Sequence, residues 1–370
     1  MIKNKLSMIM IFMICCLWLA ACQSKETQTT SPSEKVKIEK KEMMANIIPS
    51  EGFIQNVGWL SSSEILSVRN VEGVPSFYIY NVHDGSNQKI YEVHSSSYVN
   101  ASISPDMKKI LIHSSPTSYS AQVTIIDRSG KIQFQQDVPS YDLTYSWNQF
   151  NDDALLMTTF SEDWSFQVFE INIQEGTMDT IEVEQPFVQW QSASSVLYQD
   201  WNKEEVSVSA PLISKNILDH KKEMIVEDSV HFNQFNESLL SIFSHEEEGP
   251  FTYQFIHSNG EIQSEFTVEL LSRYSDWLIP YYDMIEKTGW FITFVANEPG
   301  SFDTYSGTFS LKGWDTDSGK EKVLFNDLPL EPIQCSPDGE SCIYGNQLEK
   351  VISLKKSSII QLLKEEGADI

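Results

Sequence analysis

Two cysteines near the C-terminus are spaced so that they could form a disulfide. Cys335 and Cys342 flank residues 336–341, which read Ser-Pro-Asp-Gly-Glu-Ser. If residues 337–340 form the loop of a hairpin, the two cysteines lie directly opposite each other on paired strands, where Cα separations of about 5.5 Å suit a disulfide. A one-residue bulge would spoil this register, and free cysteines often pack as small buried residues. Both the disulfide and the free-thiol pair therefore stay open at this point.

A third cysteine ends a stretch with the architecture of a secretory signal. Lys3 and Lys5 give a positive start, and residues 6–21 are apolar apart from one serine and two cysteines. This run is shorter than the ~20 residues that a membrane-spanning helix needs, and it suits the core of a signal peptide. Residues 19–22, Leu-Ala-Ala-Cys, resemble the lipobox of bacterial lipoproteins. The resemblance implies cleavage before Cys22 and a diacylglyceryl thioether on its sulfur.

The alternatives to lipidation are an uncleaved anchor and a cysteine that happens to end an ordinary signal peptide. Lipidation would attach two acyl chains, and two membrane signals are what stable anchoring requires. We therefore predict a signal peptide over residues 1–21, a lipid anchor on Cys22, and a position at the outer face of a cell membrane. Cys15 and Cys16 leave with the signal peptide, so Cys335 and Cys342 are an even pair in a compartment that permits disulfides.

No short motif in the chain is typical of catalysis or of cofactor binding. There is no Gly-x-Ser-x-Gly elbow, phosphate loop or dinucleotide fingerprint, and the 7 histidines lack His-x-x-x-His zinc spacing. Residues 315–319, Asp-Thr-Asp-Ser-Gly, look like part of a calcium loop but lack a third oxygen ligand and the distal Glu, which favours a β-turn. We predict no catalytic residue, no cofactor and no metal site.

Aromatic residues near strand ends are the remaining candidates for ligand contact. They are Trp164, Trp201, Tyr281, Tyr282 and Trp290. Such rings could stack on sugars or peptides at the mouth of a propeller, but the favoured interpretation is that they fill the gaps between blades. Residues 297–307 form a segment that is long for a hairpin, and long loops are often functional. This loop is the one ligand-facing element that the sequence suggests.

The charge of the chain excludes one class of partner. The net charge is −26 with a pI of about 4.5, and removal of residues 1–21 takes away two lysines and no acid, which leaves −28. Such a field repels nucleic acid and anionic lipid headgroups. We therefore predict no nucleic-acid partner, and contact with the membrane only through the lipid on Cys22.

The part of the chain with a regular hydrophobic pattern begins after a polar segment. Residues 23–42 are rich in Ser, Thr, Lys and Glu without apolar periodicity, which predicts a disordered tether over residues 22–46. About twenty flexible residues reach roughly 25 Å. From residue 47 to residue 370, short β-branched and aromatic runs of period two alternate with Gly-containing turns, which indicates an all-β domain.

These runs recur in units of two hairpins, about 40–50 residues apart, a spacing typical of propellers. The units start near Gly52, Tyr98, Tyr141, Phe187, Ser229, Trp277 and Pro332. A lone four-stranded sheet leaves edges and faces uncovered, whereas radial stacking buries the faces against neighbours. We predict a β-propeller of six or seven four-stranded blades, with a set of β-sandwiches as the alternative. The last unit is short and ends in residues 359–364, which could be a strand or a helix.

Two turns carry a resemblance to known propellers. Residues 104–106 and 336–339 contain Ser-Pro-Asp and resemble the inner-hairpin turn of TolB-like and WD40-like repeats. With the lipobox and the acidic body, the chain resembles the YqgU-like lipoproteins of Bacillus and relatives over most of its mature length. The resemblance implies six blades, whereas the unit count reaches seven, so either two units share a blade or the last unit only closes the ring. It transfers no catalytic residue.

Three functional hypotheses follow. The first is a non-enzymatic binding or scaffolding module at the cell envelope, with an unidentified envelope protein, peptide or glycan bound at one end of the central channel. The second is an envelope glycan or peptide hydrolase or lyase, which requires Asp or Glu side chains with perturbed pKa values to converge at a channel mouth. The third is a structural or sensory lipoprotein acting on a neighbouring membrane protein.

Overall fold

The computed structural model describes residues 42–94, 96–202, 204, 206–245 and 249–364. Within these residues the regular structure is β, apart from one short 3₁₀ helix at Phe302–Thr304. No helix in this part of the chain is long and apolar enough to cross a membrane. The predicted signal peptide, Cys22 and the tether up to residue 41 lie outside the described residues.

The strands form seven sheets of four, and each sheet uses four consecutive strands. The first four blades contain β1 (Phe53–Ser61), β2 (Glu64–Val71), β3 (Val74–Asn81), β4 (Asn87–Glu92); β5 (Ser97–Ile103), β6 (Lys109–Thr117), β7 (Ser120–Asp127), β8 (Ile132–Pro139); β9 (Asp142–Trp147), β10 (Ala154–Phe160), β11 (Phe166–Asn172), β12 (Thr177–Ile181); and β13 (Gln189–Trp190), β14 (Ser195–Gln199), β15 (Ala210–Asn216), β16 (Lys222–Ser229).

The last three blades follow the same order. They contain β17 (His231–Gln234), β18 (Ser238–Ser244), β19 (Phe251–His257), β20 (Ile262–Val268); β21 (Tyr282–Ile285), β22 (Trp290–Ala296), β23 (Phe309–Asp315), β24 (Glu321–Leu328); and β25 (Ile333–Cys335), β26 (Ser341–Tyr344), β27 (Lys350–Ser353), β28 (Ser358–Gln361). The prediction of an all-β propeller with four-stranded blades is confirmed, and the blade count is seven. The resemblance implied a count of six blades, which is wrong for this chain. The short last unit forms a complete four-stranded sheet, and its final element is a strand.

Antiparallel pairing assigns every connection to one of two ends of the ring. In each blade the first and third strands run the same way, so the first-to-second and third-to-fourth hairpins share one end, which we call the base end. The second-to-third hairpins and the connections between blades share the opposite end, which we call the mouth end. The inner strands are β1, β5, β9, β13, β17, β21 and β25.

The core consists of seven apolar clusters, one at each interface between adjacent blades. The alternating side chains of each sheet explain this arrangement, because both faces of a blade must be covered. The interface between the last and first blades is as apolar as the others, with Ile343, Val351 and Leu362 packed with Trp59 and Ile65. Burial at this seventh interface shows that the ring is closed.

The chain termini reinforce this closure without exchanging a strand. The Asn46 and Ile48 amides donate to the carbonyls of Gln361 (2.9 Å) and Leu362 (2.9 Å), and the Lys364 amide donates to the Ile48 carbonyl (2.8 Å). Asn46 belongs to the segment predicted as tether, so contact with the propeller begins within that segment. The chain enters the ring at the base end, where Glu42 contacts Lys356 in the β27–β28 hairpin.

The Ser-Pro-Asp turns of the second and seventh blades have the same geometry. The hydroxyls of Ser104 and Ser336 each donate to the carboxylate two residues on, Asp106 and Asp338, at 2.7 Å in both cases. Both serines are almost fully buried. The hydroxyl also accepts from the amide of the returning strand, so the serine closes the hairpin from inside. This explains why the two turns look alike in the sequence.

Candidate functional site

The inner strands enclose a cavity of about 930 Å³ that extends from one end of the ring to the other. Phe187 and Trp201 line it at the mouth end, and Pro105, Gln149 and Phe235 line it at the base end. Six inner strands, β5, β9, β13, β17, β21 and β25, contribute residues to its wall. We call this cavity the channel, and its size is within the range of ordinary small-ligand sites.

Amide and aromatic side chains dominate the channel wall. The amides are Gln149, Gln189, Gln199, Asn233, Gln234 and Gln334. Aromatic rings come mainly from Tyr145, Trp147, Phe187, Trp190, Trp201 and Phe235. The wall holds no lysine or arginine among the described residues, and its carboxyl groups are those of Asp283 and Glu286. The channel is thus far less acidic than a chain of net charge −26 would suggest.

An amide network crosses the base end of the channel. The Gln149 amide group donates to the Gln234 carbonyl (2.8 Å), which links the third blade to the fifth. The Gln234 backbone amide donates to the Gln189 side-chain oxygen of the fourth blade (2.8 Å). Three blades are therefore tied together at this end.

Three polar atoms in residues of the channel wall have no hydrogen-bond partner among the described residues. They are the Tyr145 hydroxyl, the Trp190 Nε1 group and the Gln334 Oε1 atom. Trp190 is only 1% exposed, and burial raises the pKa of Tyr145 to about 12, so this phenol stays protonated near neutral pH. A buried polar group without a partner is costly. These three atoms are themselves buried within the wall, so a ligand in the channel would meet the accessible amides and rings around them.

Two carboxyl groups of the sixth blade face the base-end half of the channel. Asp283 accepts hydrogen bonds from the Cys335 amide (2.5 Å) and the Met284 amide (2.9 Å), yet burial raises its pKa to about 7. Burial also raises the pKa of Glu286, which accepts from the Asn236 amide at 3.0 Å. Asp283 is therefore partly protonated near neutral pH and could donate or accept a proton.

A histidine and a tyrosine join the fifth and sixth blades beside the channel. His231 Nε2 is hydrogen-bonded to the Tyr282 hydroxyl at 2.7 Å. Burial lowers the pKa of His231 to about 4 and raises the pKa of Tyr282 above its usual value. Both side chains are uncharged near neutral pH, so this pair adds hydrogen-bonding groups but no charge to the channel.

The five aromatic residues named from the sequence lie in different environments. Trp201 lines the channel, where the Gln185 amide group donates to its carbonyl at 3.1 Å. Tyr282 bonds His231, Trp290 packs against the core between the sixth and seventh blades, and Tyr281 is 48% exposed. Trp164 is 64% exposed at the mouth end. The sequence could not distinguish these environments, because all five lie near strand ends.

The loop of residues 297–307 lies at the mouth end but contributes nothing to the channel wall. The Ser272 amide donates to the Gly300 carbonyl (3.1 Å), and the Phe302 amide donates to the Ser272 carbonyl (2.8 Å). The loop is therefore docked on the connection between the fifth and sixth blades. Residues 315–319 form the β23–β24 turn, in which the Asp315 carboxylate accepts two backbone amides of the turn at 3.0 Å. No group of three metal-ligating side chains occurs in the described part of the chain.

Cys335 and Cys342 are Cα partners in the β25–β26 pairing, as the predicted hairpin requires. Their Sγ atoms are 2.00 Å apart and their Cα atoms 3.8 Å apart. The bond itself stays a prediction until the thiols are counted.

Sequence reasoning missed the channel wall itself. A weak signal existed in the inner strands, where Gln189 and Gln334 each stand between two apolar or small residues, as in Val-Gln-Trp and Ile-Gln-Cys. Because period two separates only the two faces of a strand, it could not show that these glutamines line a cavity.

Comparison with known proteins places the chain in a family. The profile of the YqgU-like 6-bladed beta propeller domain matches residues 81–345, a stretch that includes five complete blades of this ring. A Bacillus subtilis (strain 168) protein named uncharacterized lipoprotein YqgU is 25% identical over 348 residues, which cover 94% of each chain.

Solved structures share the fold. An uncharacterized protein of Listeria monocytogenes EGD-e superposes with a TM-score of 0.81 at 23% identity, over 89% of this chain and 100% of that one. Oligogalacturonate lyase from Vibrio parahaemolyticus superposes with a TM-score of 0.58 at 10% identity, over 86% of this chain and 94% of that one. At these identities the likeness shows the fold alone.

Proposed function

The chain belongs to the YqgU-like β-propeller family, and on that premise we propose that it is a lipid-anchored envelope protein whose channel binds a neutral polar ligand without transforming it. The observation that carries this proposal is the chemistry of the channel. Amide side chains and aromatic rings surround a cavity of about 930 Å³ that lacks cationic side chains in the described residues. Convergent polar groups among apolar surface are typical of ligand sites.

The predicted lipidation of Cys22 would place the protein at the outer face of the membrane. The lipobox-like residues 19–22 and the lipoprotein name of the Bacillus subtilis relative both support lipidation. We expect Cys22→Ala to move the protein from the membrane fraction to the soluble extracytoplasmic fraction, while protease resistance of the propeller stays unchanged. If the cleaved variant remained in the membrane fraction, the propeller itself would hold a membrane contact.

Photo-crosslinking in intact cells tests ligand binding. Phe187 lines the channel at the mouth end and is 64% exposed, so p-benzoylphenylalanine fits at this position. Phe150 is exposed at the base end outside the channel wall and serves as the matched control. We expect irradiation to add mass at position 187 and none at position 150. Equal labelling of both positions, or none at 187, would refute a channel ligand.

The alternative function is cleavage of an envelope glycan or peptide by a hydrolase or lyase reaction, and Asp283 supports it. Its burial-raised pKa of about 7 is suitable for proton transfer near neutrality. The named activity of the Vibrio relative belongs to a protein only 10% identical to this chain. We expect the mature protein to release no reducing ends or peptides from isolated cell walls. Release that Asp283→Asn abolished would replace the binding proposal with the enzymatic one.

A further inference from the structure

Exposed aromatic side chains are concentrated at one end of the propeller. Among the described residues, seven of the eight exposed aromatics lie at the mouth end, and Phe150 alone lies at the base end. Four of the seven are close together on the second, third and fourth blades: Tyr119, Tyr141, Trp164 and Phe187, which are 54–64% exposed. We call these four residues the aromatic strip.

The strip is continuous with the channel. The Phe187 ring, which lines the channel, and the Trp164 ring both contact the buried Phe160 ring, with centroids 5.8 Å and 6.0 Å away. The Tyr141 amide donates to the Phe160 carbonyl at 2.7 Å, and the Tyr141 ring lies 6.3 Å from the Tyr119 ring. A path of exposed rings therefore leads from the β6–β7 hairpin to the channel mouth.

The backbone holds these rings in place at the surface. Thr158 donates to the Pro186 carbonyl at 2.7 Å, which fixes the segment that carries Phe187. Trp164 adopts a φ of +63° in the β10–β11 turn, a conformation that bulky residues rarely take. Gly or Asn would suit this turn position better, so the local conformation does not account for a tryptophan there.

The charge around the strip limits what can lie on it. The segments that carry the four rings, residues 117–120, 139–142, 160–166 and 181–188, contain five acidic residues and no lysine or arginine. One of the five, Glu184, is paired with Lys215 and Lys222 of the fourth blade, which leaves Asp142, Glu162, Asp163 and Glu182 as the acidic side chains of these segments. Such a surface repels polyanions and anionic lipid headgroups. The channel into which the strip leads presents mostly neutral amides and hydroxyl groups, so a polycation gains little by entering it.

A sugar ring combines the features that this surface requires. Its C–H face is apolar and can stack on an aromatic ring, and its hydroxyls can donate to the carboxylates of Asp142, Glu162 and Asp163 beside the strip. We propose that the aromatic strip and the channel together bind a linear neutral glycan, whose end occupies the channel while the following sugars stack on Phe187, Trp164, Tyr141 and Tyr119. This rests on the proposed binding function and names its ligand class.

Titration calorimetry of the mature lipoprotein in a sugar-free detergent tests the proposal. The probes are chito-oligosaccharides and malto-oligosaccharides of two to six sugars. We expect at least one series to bind with an affinity that rises with length. For the hexasaccharide, we expect Trp164→Ala and Tyr141→Ala each to weaken binding about fivefold, which corresponds to about 1 kcal/mol for one aromatic contact. For the disaccharide, these variants should bind as the wild type does.

Two matched controls separate the strip from general surface effects. Tyr274 is fully exposed at the mouth end, on the connection between the fifth and sixth blades, and Phe150 is exposed at the base end. Tyr274→Ala and Phe150→Ala should leave hexasaccharide binding unchanged. Thermal unfolding of all variants should match the wild type, because the substituted strip rings are more than half exposed.

The outcomes distinguish the strip from the channel. Failure of both series to bind, affinity independent of length, or unaltered binding by the strip variants would overturn the proposal. Binding only of a poly-lysine probe would overturn it too, in favour of a cationic partner. If channel photo-crosslinking succeeded and the strip variants had no effect, the proposed function would stand and the glycan proposal would fall. If strip-dependent binding occurred and p-benzoylphenylalanine at Trp201, which lines the channel outside the strip, gave no crosslink, the channel proposal would fail.

Discussion

Gln334 shows how the channel wall depends on the backbone of a neighbouring blade. A Cβ atom on Gly58 of β1 would lie 2.5 Å from Gln334 Oε1 and 3.1 Å from Ile103 Cδ1. Gly58 has an ordinary φ, so glycine is needed here for space and not for a special conformation. The unpartnered Gln334 oxygen keeps its place in the wall because the adjacent strand has no side chain at this position.

We predict that Gly58→Ala displaces the Gln334 side chain and lowers the free energy of unfolding by about 1 kcal/mol, the low end for overpacking, because the atoms that the added Cβ meets are the ends of side chains. Urea denaturation measures the change. Gly300→Ala is the control, since the nearest atom to its added Cβ would be 3.9 Å away, and it should not lower stability. A Gly58→Ala protein as stable as the wild type would mean that Gln334 moves freely.

Asp283 connects burial to the pH dependence of stability. Its pKa is about 7 in the folded propeller because burial disfavours the charged carboxylate, whereas an unfolded Asp titrates near ~4. Between these values the folded state retains a proton that the unfolded state has lost. The contribution of Asp283 to the free energy of unfolding is therefore fully present below about pH 4, and it is lost as the pH rises through about 7.

We predict that Asp283→Asn flattens the fall of the unfolding free energy between pH 4.5 and pH 8. Urea denaturation at intervals across this range measures the slope. Glu227→Gln, an exposed substitution on β16, should keep the wild-type slope. An unchanged slope in Asp283→Asn would show that this carboxyl titrates as an exposed one does.

Prediction of single residues from the sequence succeeded only where the two residues concerned are close together along the chain. The register of Cys335 and Cys342 followed from the turn between them, and the structure pairs their Cα atoms as expected. The channel residues were not predictable, because which inner-strand side chain faces the axis depends on how seven sheets meet. Asp283 looked like any other of 52 acidic residues.

At the scale of single elements, a disulfide between Cys335 and Cys342 would stabilise the β25–β26 hairpin. The Asp283 carboxylate of the neighbouring blade accepts a hydrogen bond from the backbone amide of Cys335 in β25. A disulfide at Cys335 would therefore hold β25 in the position that this hydrogen bond needs. Closing a loop of this short length stabilises by roughly 2–3 kcal/mol in the chain-entropy account. The hairpin also contributes Gln334 to the channel.

We predict that denatured mature protein has no free thiol until a reductant is added, and two thiols afterwards. Reaction with a chromogenic disulfide reagent counts them, and Cys22 does not contribute if its sulfur carries the lipid. Cys335→Ser should show one thiol without reductant, which calibrates the assay. Two free thiols in unreduced wild-type protein would rule out the bond.

Element prediction was accurate in the hairpins and poor in the long connections. The predicted unit starts fall within a few residues of the first strands, such as Tyr141 beside β9 and Pro332 beside β25, because alternating patterns and Gly turns mark hairpins directly. The loop of residues 297–307 was expected to face a ligand, but it is docked on the connection that carries Ser272. Nothing in a loop sequence states which neighbour it packs against.

At the scale of the whole propeller, closure joins the first described residues to the last. Ile48 is fully buried, pairs with Leu363 in a parallel bridge, and packs in the cluster between the last and first blades. Leu362 is fully buried in the same cluster. A short contact between termini thus secures an interface on which the entire ring depends.

We predict that Ile48→Ala lowers the free energy of unfolding by about 2–5 kcal/mol, as truncation of a buried aliphatic residue does. Leu362→Ala should cost a similar amount, and the double variant should cost less than the sum, because the two residues share one cluster. Ile359→Ala, on a residue 42% exposed in β28, is the control and should change little. Full additivity in urea denaturation would mean that the termini do not cooperate in closure.

The seventh blade also explains why the blade count was open before the structure. Its strands β25 to β28 are only three or four residues long, so the unit looked too short for a blade. Burial of Val351, Ile352 and Leu362 makes it a full partner of both neighbours. Short strands are sufficient here because two adjacent blades cover both faces of the sheet.

Ring closure without strand exchange has a consequence for biogenesis. Each blade consists of four consecutive strands, so it can form as soon as its own segment is available, and folding can proceed from the N-terminus. The seventh interface is complete only when residues 361–364 reach Asn46 and Ile48. During export directed by the predicted signal peptide, a chain cut short at its C-terminus would keep that apolar interface open, and envelope proteases could recognise incomplete molecules by it.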